Sequence, residues 1–125
     1  MRFRFLFATF GIMAFLLGAC GEQNNTLFMP AQDRLTFLFF YTDGWAPWAN
    51  MAPVVNGLEE TYSDDVEFRH IDANSEEGRP IFQQFKLQGH PSYVLVNPAG
   101  EILWQSLGEQ PGEILQEKIS TILDK

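Results

Sequence analysis

Leu35-Thr36-Phe37-Leu38-Phe39-Phe40-Tyr41 is apolar or aromatic at every position but one and shows no two-residue alternation. A half-exposed strand would place a polar residue at every second position, so this run predicts a central strand covered on both faces. The turn residues Thr42-Asp43-Gly44 follow, and from about Pro47 to Tyr62 the period lengthens. Met51, Val54, Val55, Leu58 and Tyr62 form one apolar stripe of a helix, with Asn50, Asn56, Glu59 and Glu60 turned away from it. Pro53 lies inside that helix and should kink it, because proline has no N–H to donate and crowds the preceding turn.

Val66, Phe68 and His70 then alternate with Glu67 and Arg69, which predicts a second strand ending at Ile71. Asp72-Ala73-Asn74-Ser75 leads into a short helix carrying Ile81, Phe82 and Phe85, with Gly78 and Pro80 placing its firm start near Pro80. Tyr93-Val94-Leu95-Val96 and Ile102-Leu103-Trp104 flank Asn97-Pro98-Ala99-Gly100, a pair of strands around a proline and glycine turn. Pro111 opens a last helix with Leu115, Ile119 and Ile122 facing inward. The order is strand, helix, strand, helix, hairpin, helix. Right-handed crossovers make the first two strands parallel neighbours, and the whole an α/β domain with a mixed central sheet and helices on both faces.

The first nineteen residues follow a different pattern. Met1 to Arg4 carries two arginines, Phe5 to Leu17 is apolar apart from one Thr and one Gly, and small residues follow at Gly18 and Ala19. This is the pattern of a signal peptide, and the apolar run is short of the ~20 residues a membrane span needs. Leu17-Gly18-Ala19-Cys20 resembles a bacterial lipobox, in which the cysteine thiol takes a diacylglyceryl group and the leader is cut in front of it. The expected divisions are a signal peptide over 1–19, a lipidated N-terminus and tether over 20–34, and a domain over 35–125. Polar Glu22-Gln23-Asn24-Asn25 gives the tether no helical pattern. The expected location is extracytoplasmic, on a bacterial membrane through lipid on Cys20 carrying palmitate-type chains.

Charge narrows the partners. The chain of 125 residues carries 16 acids and 8 bases, a formal charge of −8. Removal of residues 1–19, which hold two arginines and no acid, makes it −10. The six remaining bases are scattered, which argues against nucleic acid, since phosphate binding needs clustered Lys and Arg. One cysteine allows no internal disulfide and no two-cysteine chemistry within the chain. With only His70 and His90, a zinc site would have to draw on carboxylates or on a partner, so no metal and no cofactor is expected.

Over residues 35 to 125 the sequence resembles the thioredoxin family. Phe39-Phe40-Tyr41-Thr42-Asp43-Gly44, then Trp45-Ala46-Pro47-Trp48 and Met51-Ala52-Pro53, is similar to that family's strand, active-site loop and kinked helix. Gly89-His90-Pro91-Ser92 resembles its cis-proline loop, and Gly108 stands where the family has a glycine beside the active site. The resemblance implies a thioredoxin-like fold, and it fails at the chemistry. The family's C-x-x-C sits at the helix start, where unpaired N–H groups lower the first cysteine's pKa. Counting back from Pro53, the two cysteines fall on Trp45 and Trp48, which offer no thiolate for disulfide exchange. The family's buried Asp and Lys map to Phe39 and Phe68. Replacement of all four groups points to an abandoned redox site.

The expected function is a redox-inactive, lipid-anchored domain that binds or positions a protein or peptide client. Its rim would be Trp45, Ala46, Pro47, Trp48, His90, Pro91 and Gly108, with no catalytic residue among them. Two other readings stand beside it: a member of a thiol-disulfide oxidoreductase pathway whose partner supplies the cysteines, and a structural envelope subunit. His90, ahead of the expected cis-proline, is placed to face Trp45, and His70 reads as a core or edge residue of its strand. Asp64, Asp65, Glu67, Glu76 and Glu77 read as a solvated face, with no paired acid and base in a cleft.

Overall fold

The computed structural model describes residues 28–125. Its elements are β1 (Leu35–Tyr41), α1 (Ala46–Tyr62), β2 (Val66–Asp72), α2 (Gly78–Gln84), β3 (Ser92–Val96), β4 (Ile102–Leu107) and α3 (Gly112–Leu123). The sheet order is β2-β1-β3-β4, with β1 parallel to β2 and β3 antiparallel to both β1 and β4. The expected order of elements and the mixed sheet are therefore present. β1 lies inside the sheet with Thr36 through Phe40 buried, which is why its sequence carries no alternation.

The two faces of β1 build two cores. Phe37 and Phe39 pack with Tyr93 and Leu95 of β3 beneath Met51, Val55 and Leu58 of α1 and Leu115 and Ile119 of α3. Leu38 and Phe40 pack with Val94 and Val96 against Ile81, Phe82 and Phe85 around α2. Helices thus cover both faces. Phe28 joins the second core at 8% exposure, its N–H bonded to Gln84 Oε1 at 2.9 Å and its ring beside Phe85. The packed body reaches back to Phe28, into the 20–34 stretch read as a tether; the signal peptide and Cys20 lie outside the described residues.

Several boundaries differ from the sequence reading, β2 and β3 by a single residue each. α1 begins at Ala46, one residue before Pro47, and runs through Pro53 to Tyr62. α2 begins at Gly78 rather than near Pro80. Ser75 explains that start: its hydroxyl donates to Asp72 O and accepts from the Gly78 N–H, both at 2.8 Å, turning the chain into the helix two residues early. Pro80 is then the third helical residue, where a missing N–H costs no helical bond. β4 continues past Trp104 to Leu107, and Ile102, Leu103 and Leu107 lie exposed on this edge strand. Among the described residues no helix is long and apolar enough to cross a membrane.

Candidate functional site

The site lies where β1 ends and α1 begins. Trp45 is the N-cap of α1 in an extended conformation, and its carbonyl accepts the Trp48 N–H at 3.0 Å. Pro47 falls in the first turn, where its fixed φ suits the helix and its missing N–H is no loss. The two tryptophans go different ways. Trp45 is 47% exposed, whereas Trp48 is half-buried against the α1/α3 core, its ring 5.5 Å from that of Tyr41. Phe39 and Phe68, the two positions expected to have lost the family's Asp and Lys, both belong to the apolar packing of that core.

The other two segments of the expected rim converge on the same place. The His90-Pro91 bond is cis, Pro91 is buried, and the His90 ring meets the Trp45 indole in a T-shaped contact with centroids 4.7 Å apart. On its other side His90 Nδ1 lies 3.3 Å from Thr42 Oγ1. Gly89 O accepts a hydrogen bond from Ser92 Oγ, closing the loop ahead of β3. Gly108 adopts φ +90 and donates its N–H to Pro91 O at 2.8 Å, which fastens the loop before α3 to the cis-proline loop. A β-carbon at Gly108 would meet nothing within 4 Å, so the positive φ, not crowding, is what favours glycine there. Tertiary structure therefore gathers Trp45, Trp48, His90, Pro91 and Gly108, with exposed Ala46 and half-buried Pro47 between the tryptophans.

Sequence reasoning missed the groups under and beside this rim. Tyr93 is fully buried, stacked on Phe39 at 5.6 Å, and its hydroxyl has no hydrogen-bond partner. Burial first, and then the Glu109 carboxylate, push its pKa well above the ordinary 10.0, so the phenol stays neutral. Tyr41 is raised in the same direction by burial and by Asp43 and Asp72. Glu109 accepts a hydrogen bond from Asn50 Nδ2 at 3.1 Å, tying the α3 loop to α1. A phenol inside an otherwise aliphatic strand was the visible signal for Tyr93, whereas nothing in the sequence marked Glu109 as its neighbour. His70 is an edge residue, 2.8 Å from Glu59 Oε2 and in edge contact with Phe39.

No protein-family model matches the chain. Among curated proteins it is 27% identical over 90 residues to the thiol:disulfide interchange protein TxlA homolog of Synechocystis sp., covering 72% of this chain and 50% of that protein. It is 27% identical over 94 residues to the thiol:disulfide interchange protein TxlA of Synechococcus elongatus, covering 75% and 49%. The chain spans about half the length of the curated relatives it matches. Among solved structures, thioredoxin from Trypanosoma brucei brucei superposes with a TM-score of 0.67 at 18% identity, over 75% of this chain and 79% of that one. Fasciola hepatica thioredoxin gives 0.63 at 22% identity, over 72% and 82%. The chain has a thioredoxin-like fold, and along that fold its sequence is similar to thiol:disulfide interchange proteins of the TxlA kind.

Proposed function

We propose that this chain is a redox-inactive, lipid-anchored member of the thioredoxin-like proteins that binds or positions a protein or peptide client at a bacterial membrane surface. The observation that carries the reading is the chemistry at the start of α1. Trp45 and Trp48 fall at the positions matched to the family's two cysteines, His90 packs against Trp45, and Gly108 is bonded to Pro91 in the loop beside it. An indole supplies neither a thiolate nor a leaving group, so the site has no route to a mixed disulfide. It retains what a binding surface needs: a large, half-exposed aromatic held in place by its neighbours. Lipid on Cys20 would hold that surface near the membrane, since stable anchoring takes more than one acyl chain and this acidic chain offers no basic patch to help.

A second reading has an observation in its favour. Both curated relatives are named as thiol:disulfide interchange proteins, and each is about twice as long as the stretch it shares with this chain. On that reading the domain works within a disulfide pathway beside a partner that carries the cysteines. The first measurement tests redox inactivity and the second tells the readings apart. The purified full chain should leave a protein disulfide such as that of insulin intact, and measurable reduction would overturn redox inactivity. A photo-reactive residue at Ala46, exposed on the rim, should capture a protein neighbour in native membranes, while one at exposed Glu117 on α3 should not. A captured neighbour that itself carries a redox-active cysteine pair would favour the second reading.

A further inference from the structure

The segments that meet at the rim carry charge of a single sign. Residues 39–50, 89–92 and 105–112 contain Asp43 and Glu109 and no lysine or arginine, and both acids are exposed. Lys86 stands to one side, lining a groove with Ser92 and Leu107. The carboxylates are near enough to act on the groups beneath: Asp43 and Asp72 act on the Tyr41 phenol, and Glu109 on the enclosed, unpaired hydroxyl of Tyr93. Trp45, two residues after Asp43 and at the start of the helix to which Glu109 is tied through Asn50, has 47% of its surface in solvent. Its aromatic neighbour is the His90 ring, which meets it in a T-shaped contact.

An open indole face is the strongest of the aromatic faces for a cation, and neighbouring carboxylates attract the same group. A second copy of this chain would bring another −8, or −10 once residues 1–19 are removed, and an anionic lipid surface would likewise be repelled. We infer that the rim seats an arginine or lysine side chain of the client protein on the Trp45 indole, with Asp43 and Glu109 supplying the opposing charge. This rests on the rim being a client-binding surface, and it names the class of client: one that presents a basic residue to an acidic, aromatic platform.

The test uses the full chain in zwitterionic detergent and three peptides of one length and apolar content, carrying arginine, glutamine or glutamate at the same positions. Binding is followed by the Trp45 indole resonance. The arginine peptide should bind at least about tenfold more tightly than the glutamine peptide, and the glutamate peptide more weakly still. Its advantage should shrink as ionic strength rises from about 0.01 M to about 0.15 M, where screening shortens from roughly 30 to 8 Å. The double variant Asp43→Asn with Glu109→Gln, both at exposed positions, should remove most of the arginine preference, and Trp45→Phe should keep more of it than Trp45→Ala. If all three peptides bind equally and Trp45→Ala abolishes binding, the charge inference is overturned while the rim survives. If none binds, or Trp45→Ala changes nothing, both fall.

Discussion

Trp45 and Trp48 are three residues apart, a little less than one helical turn, yet one faces solvent and the other packs on Tyr41 and the core. The difference makes them separable by substitution. Trp48→Ala should cost about 1.5 to 3 kcal/mol of stability, because it strips apolar area from a packed site. Trp45→Ala should cost less than about 1 kcal/mol, as for exposed positions generally, while weakening client capture. Urea midpoints for both variants beside crosslinking yield settle it, and a large stability loss at Trp45 with capture intact would make the rim mere packing. Tyr93 offers a second check. Its buried hydroxyl has no partner, so Tyr93→Phe should be neutral or gain roughly 1 kcal/mol, since no hydrogen bond is lost and a desolvated group is removed. The pH dependence has a definite sign. Folding raises the Tyr93 pKa above 10.0, so above about pH 10 the unfolded chain has lost a proton that the native chain keeps, and stability falls as pH rises. Tyr93→Phe should flatten that alkaline loss, leaving the share due to Tyr41.

At the scale of elements, two glycines in helices carry opposite expectations. A β-carbon on Gly78 would lie 2.0 Å from the Asp72 carbonyl oxygen, a backbone atom that cannot swing aside. Gly78→Ala should therefore cost about 2 to 4 kcal/mol by forcing apart the Ser75 turn and the start of α2. Gly57 sits in the middle of α1 with open space around it. Gly57→Ala should stabilise by about 0.5 to 1 kcal/mol, because alanine is the better helix former and meets no obstacle. Thermal unfolding of the pair checks both, and a tolerated alanine at Gly78 would show that the close approach relaxes freely. The early start of α2 was illegible in sequence because Pro80 and Gly78 both suggest a boundary, and only the Ser75 hydrogen bonds decide which one the chain uses.

At the scale of the molecule, the proposed lipid anchor would set where the domain works. Lipid on Cys20 predicts that the mature protein has no titratable thiol under denaturing conditions, since the chain has one cysteine in all. It also predicts that Cys20→Ser blocks palmitate incorporation; unchanged labelling would remove the anchor from the proposal. Most of the architecture was readable beforehand because most helices and strands carry a hydrophobic pattern of their own. β1 reads as doubly covered because it has no polar face, and α1 and α3 read as helices from stripes that do point at the core. The outer end of β4 was not readable. Gln105, Ser106 and Leu107 have no period of their own and are ordered by their register with Ser92 through Val94 of β3.

Sequence alone determined the order of elements, the absence of a cysteine pair, the acidic balance and the three short motifs that belong together, because periodicity, composition and residue chemistry are local properties. Tertiary structure decided the rest. Which tryptophan is exposed depends on how α1 lies over Tyr41, and the union of His90, Pro91 and Gly108 depends on contacts between segments far apart in the chain. The inclusion of Phe28 in the core depends on its packing on Phe85 beside α2, and the isolation of the Tyr93 hydroxyl on the stacking of its ring against Phe39. The physical reason is common to all four: burial and electrostatic surroundings arise from atoms that only the folded chain brings together.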